Sequence, residues 1–278
     1  MTSFTDAEIS ATAVAVAHFR ALESGREDAL FRDDGAALLV EAAGLPVSSI
    51  GLSDVTASRV YESVAVRTHW LDAGIIEAVS AGCRQVVLLA AGLDTRAVRL
   101  DVAAGTRFFE IDFEKVLEFK RTVLEGGGVP PRHECFGVAA DLTAGDWSDR
   151  LIAAGFDPGQ ATVWVAEGIL IYFDSGTNDR LIAALTGISA PGSRLLAGHF
   201  GAGSLTEAQT KEMTQRTTAG GYGFRSHVDD PVAWLAQWGW EAAAVTIKQH
   251  GTALGRTLPY EETPGQEIAW LVSGRRSS

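Results

Sequence analysis

The stretch Val86-Val-Leu-Leu-Ala-Ala-Gly-Leu-Asp-Thr-Arg96 runs from unbroken apolar residues into small ones, a glycine, and then polar residues. A buried parallel strand turns into a helix in this way. In open α/β sheets ligands bind at the carboxyl ends of the strands, where such turns lie. About twenty residues further on, Arg107-Phe-Phe-Glu-Ile-Asp112 reads as a second strand that ends in an acid. An acid there can accept hydrogen bonds from ribose hydroxyls. The two segments together predict a site for a nucleoside-containing cofactor.

Outward from this pair, the pattern predicts strands at 86–90, 107–112, 134–140, 162–167, 193–199, 242–248 and 267–273. Helices are predicted at 94–101, 113–125, 146–154, 175–189 and 230–238. Such alternation implies βαβ units and a parallel sheet. Residues 249–266 are rich in Gly, Pro and Thr and show no convincing helix, so the last two strands should pair antiparallel. The expected fold is therefore α/β: a seven-stranded, mostly parallel sheet with its last strand reversed, the Rossmann-like architecture of class I methyltransferases. Residues 5–44 and 57–81 read as helical, the first opening on a cap at Thr5-Asp-Ala-Glu8. The whole chain, 1–278, is expected to form one domain, with 1–81 a helical cap and 82–278 the core. Residues 201–228, rich in Gly, Thr and Ser, show no clear structure and are expected to form a lid.

Composition narrows the class. The 278 residues are 46% hydrophobic, enough for a full core, and no apolar run approaches the ~18 residues of a membrane span. Asp6 and Glu8 stand where a signal peptide would be positive, so a cytoplasmic protein is expected. The net charge of −12 opposes nucleic acid and anionic membranes as partners. Cys83 and Cys135 read as ordinary thiols, and His69, His199 and His227 lack metal-ligand spacing, so no metal is expected.

Several residues carry the chemistry. Ala90-Ala-Gly-Leu-Asp-Thr95 holds one glycine, whereas a pyrophosphate-binding turn wants three. A cofactor without phosphate, such as S-adenosylmethionine, suits it better than a dinucleotide. Asp112 is placed to bind a ribose diol, with Glu110 deeper or paired with a base. Asp141 and Leu142, at the third strand tip, are placed to meet an adenine amine and ring face; an aspartate capping the following helix is the plain alternative. Glu167 lies in the apolar run Trp164-Val-Ala-Glu-Gly-Ile-Leu-Ile-Tyr-Phe173 and needs a positive partner, from a ligand or from an arginine. Arg67 can fork onto a ligand carboxylate. On the acceptor side, His199 at the end of the fifth strand and Tyr172 are the candidate catalytic groups.

These segments, with Asp28-Ala-Leu-Phe31, Val66-Arg-Thr-His-Trp-Leu-Asp72 and Trp234-Leu-Ala-Gln-Trp-Gly-Trp240, resemble the leucine carboxyl methyltransferase family, especially its bacterial branch of small-molecule O-methyltransferases. The resemblance implies S-adenosylmethionine as cofactor. It matches Arg67 to the grip on the methionine carboxylate, Ala90 and Gly92 to the first-loop backbone, and Asp112 to the ribose. Asp141 and Leu142 match the adenine contacts, and Glu167 the acid beside the methionine moiety. Ala90 stands where eukaryotic members have glycine, and their amino-terminal lysine has no aligned counterpart here, Arg20 being a candidate substitute. The implied activity is methyl transfer to a carboxyl or hydroxyl oxygen of a small acceptor, polyketides being one class known in the branch. The alternatives are a protein carboxyl methyltransferase and a non-catalytic cofactor-binding regulator.

Overall fold

The computed structural model describes residues 10–44, 52–219 and 223–277. Strands β1 (Gln85–Leu89), β2 (Arg107–Asp112), β3 (Glu134–Ala139), β4 (Thr162–Ala166), β5 (Arg194–Phe200), β6 (Trp240–Thr246) and β7 (Ala269–Arg276) form one sheet. Their order is β3-β2-β1-β4-β5-β7-β6. β7 lies between β5 and β6 and is antiparallel to both; every other neighbouring pair is parallel. The expected mostly parallel sheet with a reversed last strand is what forms.

β1 and β4 are buried along their whole length, as central strands covered on both faces must be. Alternation sorts their side chains. Val87, Phe109 and Trp164 share one face with Leu151 of α6 (Trp147–Ala153) and with Leu181 and Leu185 of α7 (Ser175–Gly187). Val86, Leu88, Phe108 and Val163 share the other with Leu71, Ile75 and Val79 of α3 (Asp54–Ser80). Helices α1 (Ala11–Ser24) and α2 (Asp34–Ala43) seat Val14, Ala17 and Leu39 on Phe119 and Leu124 of α5 (Glu114–Gly126). Side chains of Ser10, Asp33 and Ser53 cap α1, α2 and α3, as expected of these residue types. The predicted cap at Thr5–Glu8 lies outside the described residues. No helix among the described residues is long and apolar enough to cross a membrane.

The short helix after β1, α4 (Arg96–Arg99), and the one before β6, α9 (Pro231–Ala236), stand where helices were expected. Two expectations are corrected. Residues 249–266 are not purely irregular: α10 (Ile247–Ala253) follows β6 at once. Thr246 and Gln249 close a reciprocal capping box, which ends the strand two residues early and starts the helix. Residues 201–228 likewise hold a 3-10 turn, Ala202–Leu205, and a helix, α8 (Ala208–Ala219). With Met213 its one large apolar residue, α8 gives no helical periodicity to read.

Candidate functional site

At the carboxyl ends of β1, β2 and β4 the chain leaves a cavity of about 850 Å³. Its walls include Arg67 from α3, Ala90 and Gly92 after β1, Asp112 at the tip of β2, and Glu167 and Tyr172 after β4. These six predicted residues, distant in sequence, meet here because parallel strands present all their carboxyl ends on one side.

The first loop is tightly wound. Ala90 adopts φ of 51° and Gly92 of 49°. The loop therefore turns its backbone inward, and Gly92 N donates to Asp112 Oδ2 at 2.7 Å. Phe113 N donates to Asp112 Oδ1, also at 2.7 Å. Burial pushes the Asp112 carboxyl up, and the two N–H donors partly offset this. Each carboxylate oxygen keeps a second lone pair, so Asp112 is oriented and still able to accept from a diol.

Glu167 accepts from Arg67 Nε at 2.9 Å and from Arg96 Nη1 at 2.7 Å. Burial alone would raise its carboxyl, but Arg96 and Arg67 outweigh this and hold it well below the usual carboxylate range. Arg67 spends only its Nε on Glu167, so its Nη pair is left for a ligand carboxylate. Arginines therefore partner Glu167, and it lines the cavity.

The pair belongs to a larger network. Arg96, 1% exposed, also binds Asp72 at 2.7 Å and pairs with Asp94. Asp72 meets Arg99 at 2.6 Å, Arg99 lies 3.6 Å from Asp33, and Asp33 receives Arg20 at 2.8 Å. Four arginines thus face four carboxylates, with no net charge. Such a network lowers the cost of burying each ion. Arg20 is committed to Asp33 and to the Leu93 carbonyl while it lines the cavity. Arg96, Asp94, Asp72 and Arg99 were not singled out from the sequence. The signal was present in Asp94-Thr-Arg96, charges placed directly after an apolar strand.

Other predicted residues fall differently. Leu142 is buried at the β3 tip and Asp141 is exposed there, and their neighbour Thr143 borders the cavity. Asp141 accepts from Thr143 N at 2.8 Å and from its hydroxyl at 2.7 Å, closing a turn; α6 takes its own start at Asp146. Glu110 pairs with Lys120 of α5 at 2.9 Å, which is the deeper, partnered position expected for it. Tyr172 lies in a 3-10 turn, Leu170–Tyr172, with its ring 5.4 Å from that of Phe224. Burial pushes its phenol above the usual range.

His199 is not a wall residue; Phe200 is. Adjacent residues on a strand face opposite ways. His199 sits 5.9 Å from the Trp234 ring, with Nδ1 3.2 Å from the Phe200 carbonyl and Nε2 3.3 Å from Asn178. Burial pushes its pKa down to about 4. His199 is thus packed as a core histidine outside the cavity wall.

Beyond Tyr172 the cavity changes character. Arg59, Val60 and Ser63 of α3, Phe200, Met213, Phe224, Arg225, Ile247 and Ala269 wall this end. Among the described residues there, none is a carboxylate or an imidazole. Arg59 and Arg67 are two i+4 steps apart on one face of α3, about 12 Å along its axis.

A profile of the leucine carboxyl methyltransferase family matches residues 13–186. A candidate S-adenosyl-L-methionine-dependent methyltransferase of Streptomyces coelicolor is 42% identical over 276 residues, covering 93% of this chain and 94% of that one. One from Streptomyces avermitilis is 41% identical over 280 residues, with 93% and 94% covered. Among solved structures, a DUF574-family protein from Streptomyces avermitilis shares the fold, with TM-score 0.64 and 14% identity over 98% of this chain and 99% of that one. The chain belongs to the leucine carboxyl methyltransferase family.

Proposed function

We propose that this chain transfers a methyl group from S-adenosylmethionine to an oxygen of a small molecule, and that the oxygen belongs to a carboxyl group. The names of its relatives support the cofactor. So does the fit of the residues: an arginine fork at Arg67 for an amino-acid carboxylate, an oriented Asp112 for a ribose diol, and one glycine where a dinucleotide needs three. Asp141 and Leu142 are assigned to the adenine side, Glu167 to the amino-acid side. Residues 1–81 cap the core and 201–228 act as the lid.

The observation that favours a carboxyl acceptor is the make-up of the far end of the cavity. A hydroxyl would need a base, yet His199 faces away and the raised Tyr172 phenol holds its proton. A carboxylate is already a nucleophile at neutral pH. Arg225 adds positive charge to that end, Arg59 being paired with Glu207, and the apolar walls suit a compact acceptor.

The bound cofactor supplies an activated methyl group on a sulfonium. The chain's own residues then bind and align: Arg67 and Asp112 fix two ends of the cofactor, Glu167 holds Arg67, and the apolar wall excludes water. Catalysis rests on holding the acceptor oxygen in line with the methyl group.

Calorimetric titration with S-adenosylmethionine and S-adenosylhomocysteine tests the site. Asp112→Ala should weaken both by roughly 10–100-fold, as expected for lost hydrogen bonds to a charged group. Unchanged affinity would remove Asp112 from the site. A panel of apolar acids and matched alcohols then tests the acceptor. Base-labile label that releases methanol is expected from the acids; base-stable label from the alcohols would overturn the carboxyl reading.

A further inference from the structure

Helix α8 walls the far end of the cavity with Met213 but has no apolar stripe. A short helix gains most of its stability from burying such a stripe, so polar bonds must fix this one. Glu207, just before it, accepts from Arg59 Nη1 at 2.6 Å, from Thr210 N at 2.6 Å and from the Thr210 hydroxyl at 2.8 Å. Arg59 Nη2 donates to the same hydroxyl at 3.0 Å. At the rim, Glu212 accepts from Ser53 N and Ser53 Oγ, both at 2.8 Å, and from the Thr56 hydroxyl.

Arg59 is the centre of this clasp. It is 4% exposed, lies 5.0 Å from the Tyr260 ring centroid, and its Nε has no hydrogen-bond partner. It also lines the cavity. If α8 lifts, Glu207 leaves and the buried guanidinium loses its paired carboxylate, keeping only the weaker pull of Glu262, which is unfavourable. An anion that takes the place of Glu207 removes that penalty, because one carboxylate replaces another on the same donors. Arg59 stands about 12 Å along α3 from Arg67, too far up the cavity to hold the reacting oxygen beside the cofactor.

We propose that Arg59 reads an anionic group at the distal end of the acceptor, in exchange for Glu207, and that this exchange frees the start of α8. Glu207 is then the internal stand-in for the acceptor, and the start of α8 loosens when the acceptor's own charge replaces it, the Glu212 tie to Ser53 remaining. This rests on the methyl-transfer reading of the cavity.

Trypsin reports on α8 directly, since Lys211 and Arg216 lie within it. Cleavage at these two bonds is followed with octanoate, suberate or 1-octanol added, with and without S-adenosylhomocysteine. In the wild type both acids should speed cleavage at least ~5-fold, saturably, and the alcohol should not. Glu207→Gln should be cleaved as fast without additive, and Arg59→Gln should lose the response to acid. No acceleration by either acid, or a Glu207→Gln variant as resistant as wild type, overturns the proposal. Calorimetry of S-adenosylhomocysteine on the same samples separates the two readings. Failure of the wild type to bind it sinks the methyl-transfer site, while the ligand-free cleavage comparison still decides the role of Arg59.

Discussion

Ala90 is the one non-glycine among the described residues with a left-handed backbone. That conformation costs an L-residue roughly 1–2 kcal/mol, and strain of this kind clusters where a loop must meet a ligand. Ala90→Gly should therefore hold or raise stability, by up to about 1 kcal/mol, because the relieved strain outweighs the extra freedom of the unfolded chain. Ala90→Val should lower it by about 2 kcal/mol, since β-branched residues tolerate positive φ least. Denaturation midpoints of the two variants check the sign of each change. Acids around the cavity were legible because charge stands out against an apolar strand: Asp112 and Glu167 are acids in runs of Phe, Ile, Val and Leu. The conformation of Ala90 was not, since nothing in alanine's chemistry favours it. The side chain that faces the cavity from β5 was harder to read. The strand runs one residue beyond its predicted end, and Phe200 rather than His199 turns to the cavity.

Elements with an apolar face were readable, and those held by polar contacts were not. The span of β2 was predicted to the residue and α5 to within one, because Phe108, Phe109 and Ile111 alternate with the register of a covered sheet. α8 lacks any such stripe, and α10 was hidden behind a composition rich in Gly, Pro and Thr although Thr246-Ile-Lys-Gln249 carries a capping signature. The same contrast sets what joins α5 to β2. Lys120 and Glu110 are both buried, 3% and 7% exposed, and meet at 2.9 Å. Burial outweighs the lysine's pull and raises the Glu110 carboxyl. Lys120→Met leaves that acid in the interior with only the Cys135 thiol beside it, which costs up to about 3–5 kcal/mol, less as the raised carboxyl takes up a proton. The urea midpoint should fall with its slope unchanged, and adding Glu110→Gln should recover a large part of the loss. A midpoint that stays put would mean that water, rather than Lys120, satisfies Glu110.

The network beneath the cavity ties α1, α2, α3 and α4 to the loops after β1 and β4. No pattern of spacing shows that Arg20 and Asp33 will share a charge system with Arg99, 66 residues after Asp33; only the packed molecule brings them together. Stability against pH is likewise a property of the whole. Folded His199 titrates at about 4, against about 6.5 in an unfolded chain. Above about pH 6.5 neither state binds the proton. Between 6.5 and 4 the unfolded chain takes it and the folded one does not, so stability falls with pH, by about 3 kcal/mol across the window. The net charge of −12 works against this trend. As carboxylates titrate the self-repulsion of the fold relaxes, so the raw stability curve mixes the two effects. Comparison with His199→Gln separates them, because the variant keeps the global charge change and loses only the histidine. From pH 7.5 to 5 the wild type should lose about 2 kcal/mol more than His199→Gln, read from urea unfolding at each pH. Equal losses would mean that the imidazole accepts a proton in the folded core, and that burial does not hold it neutral.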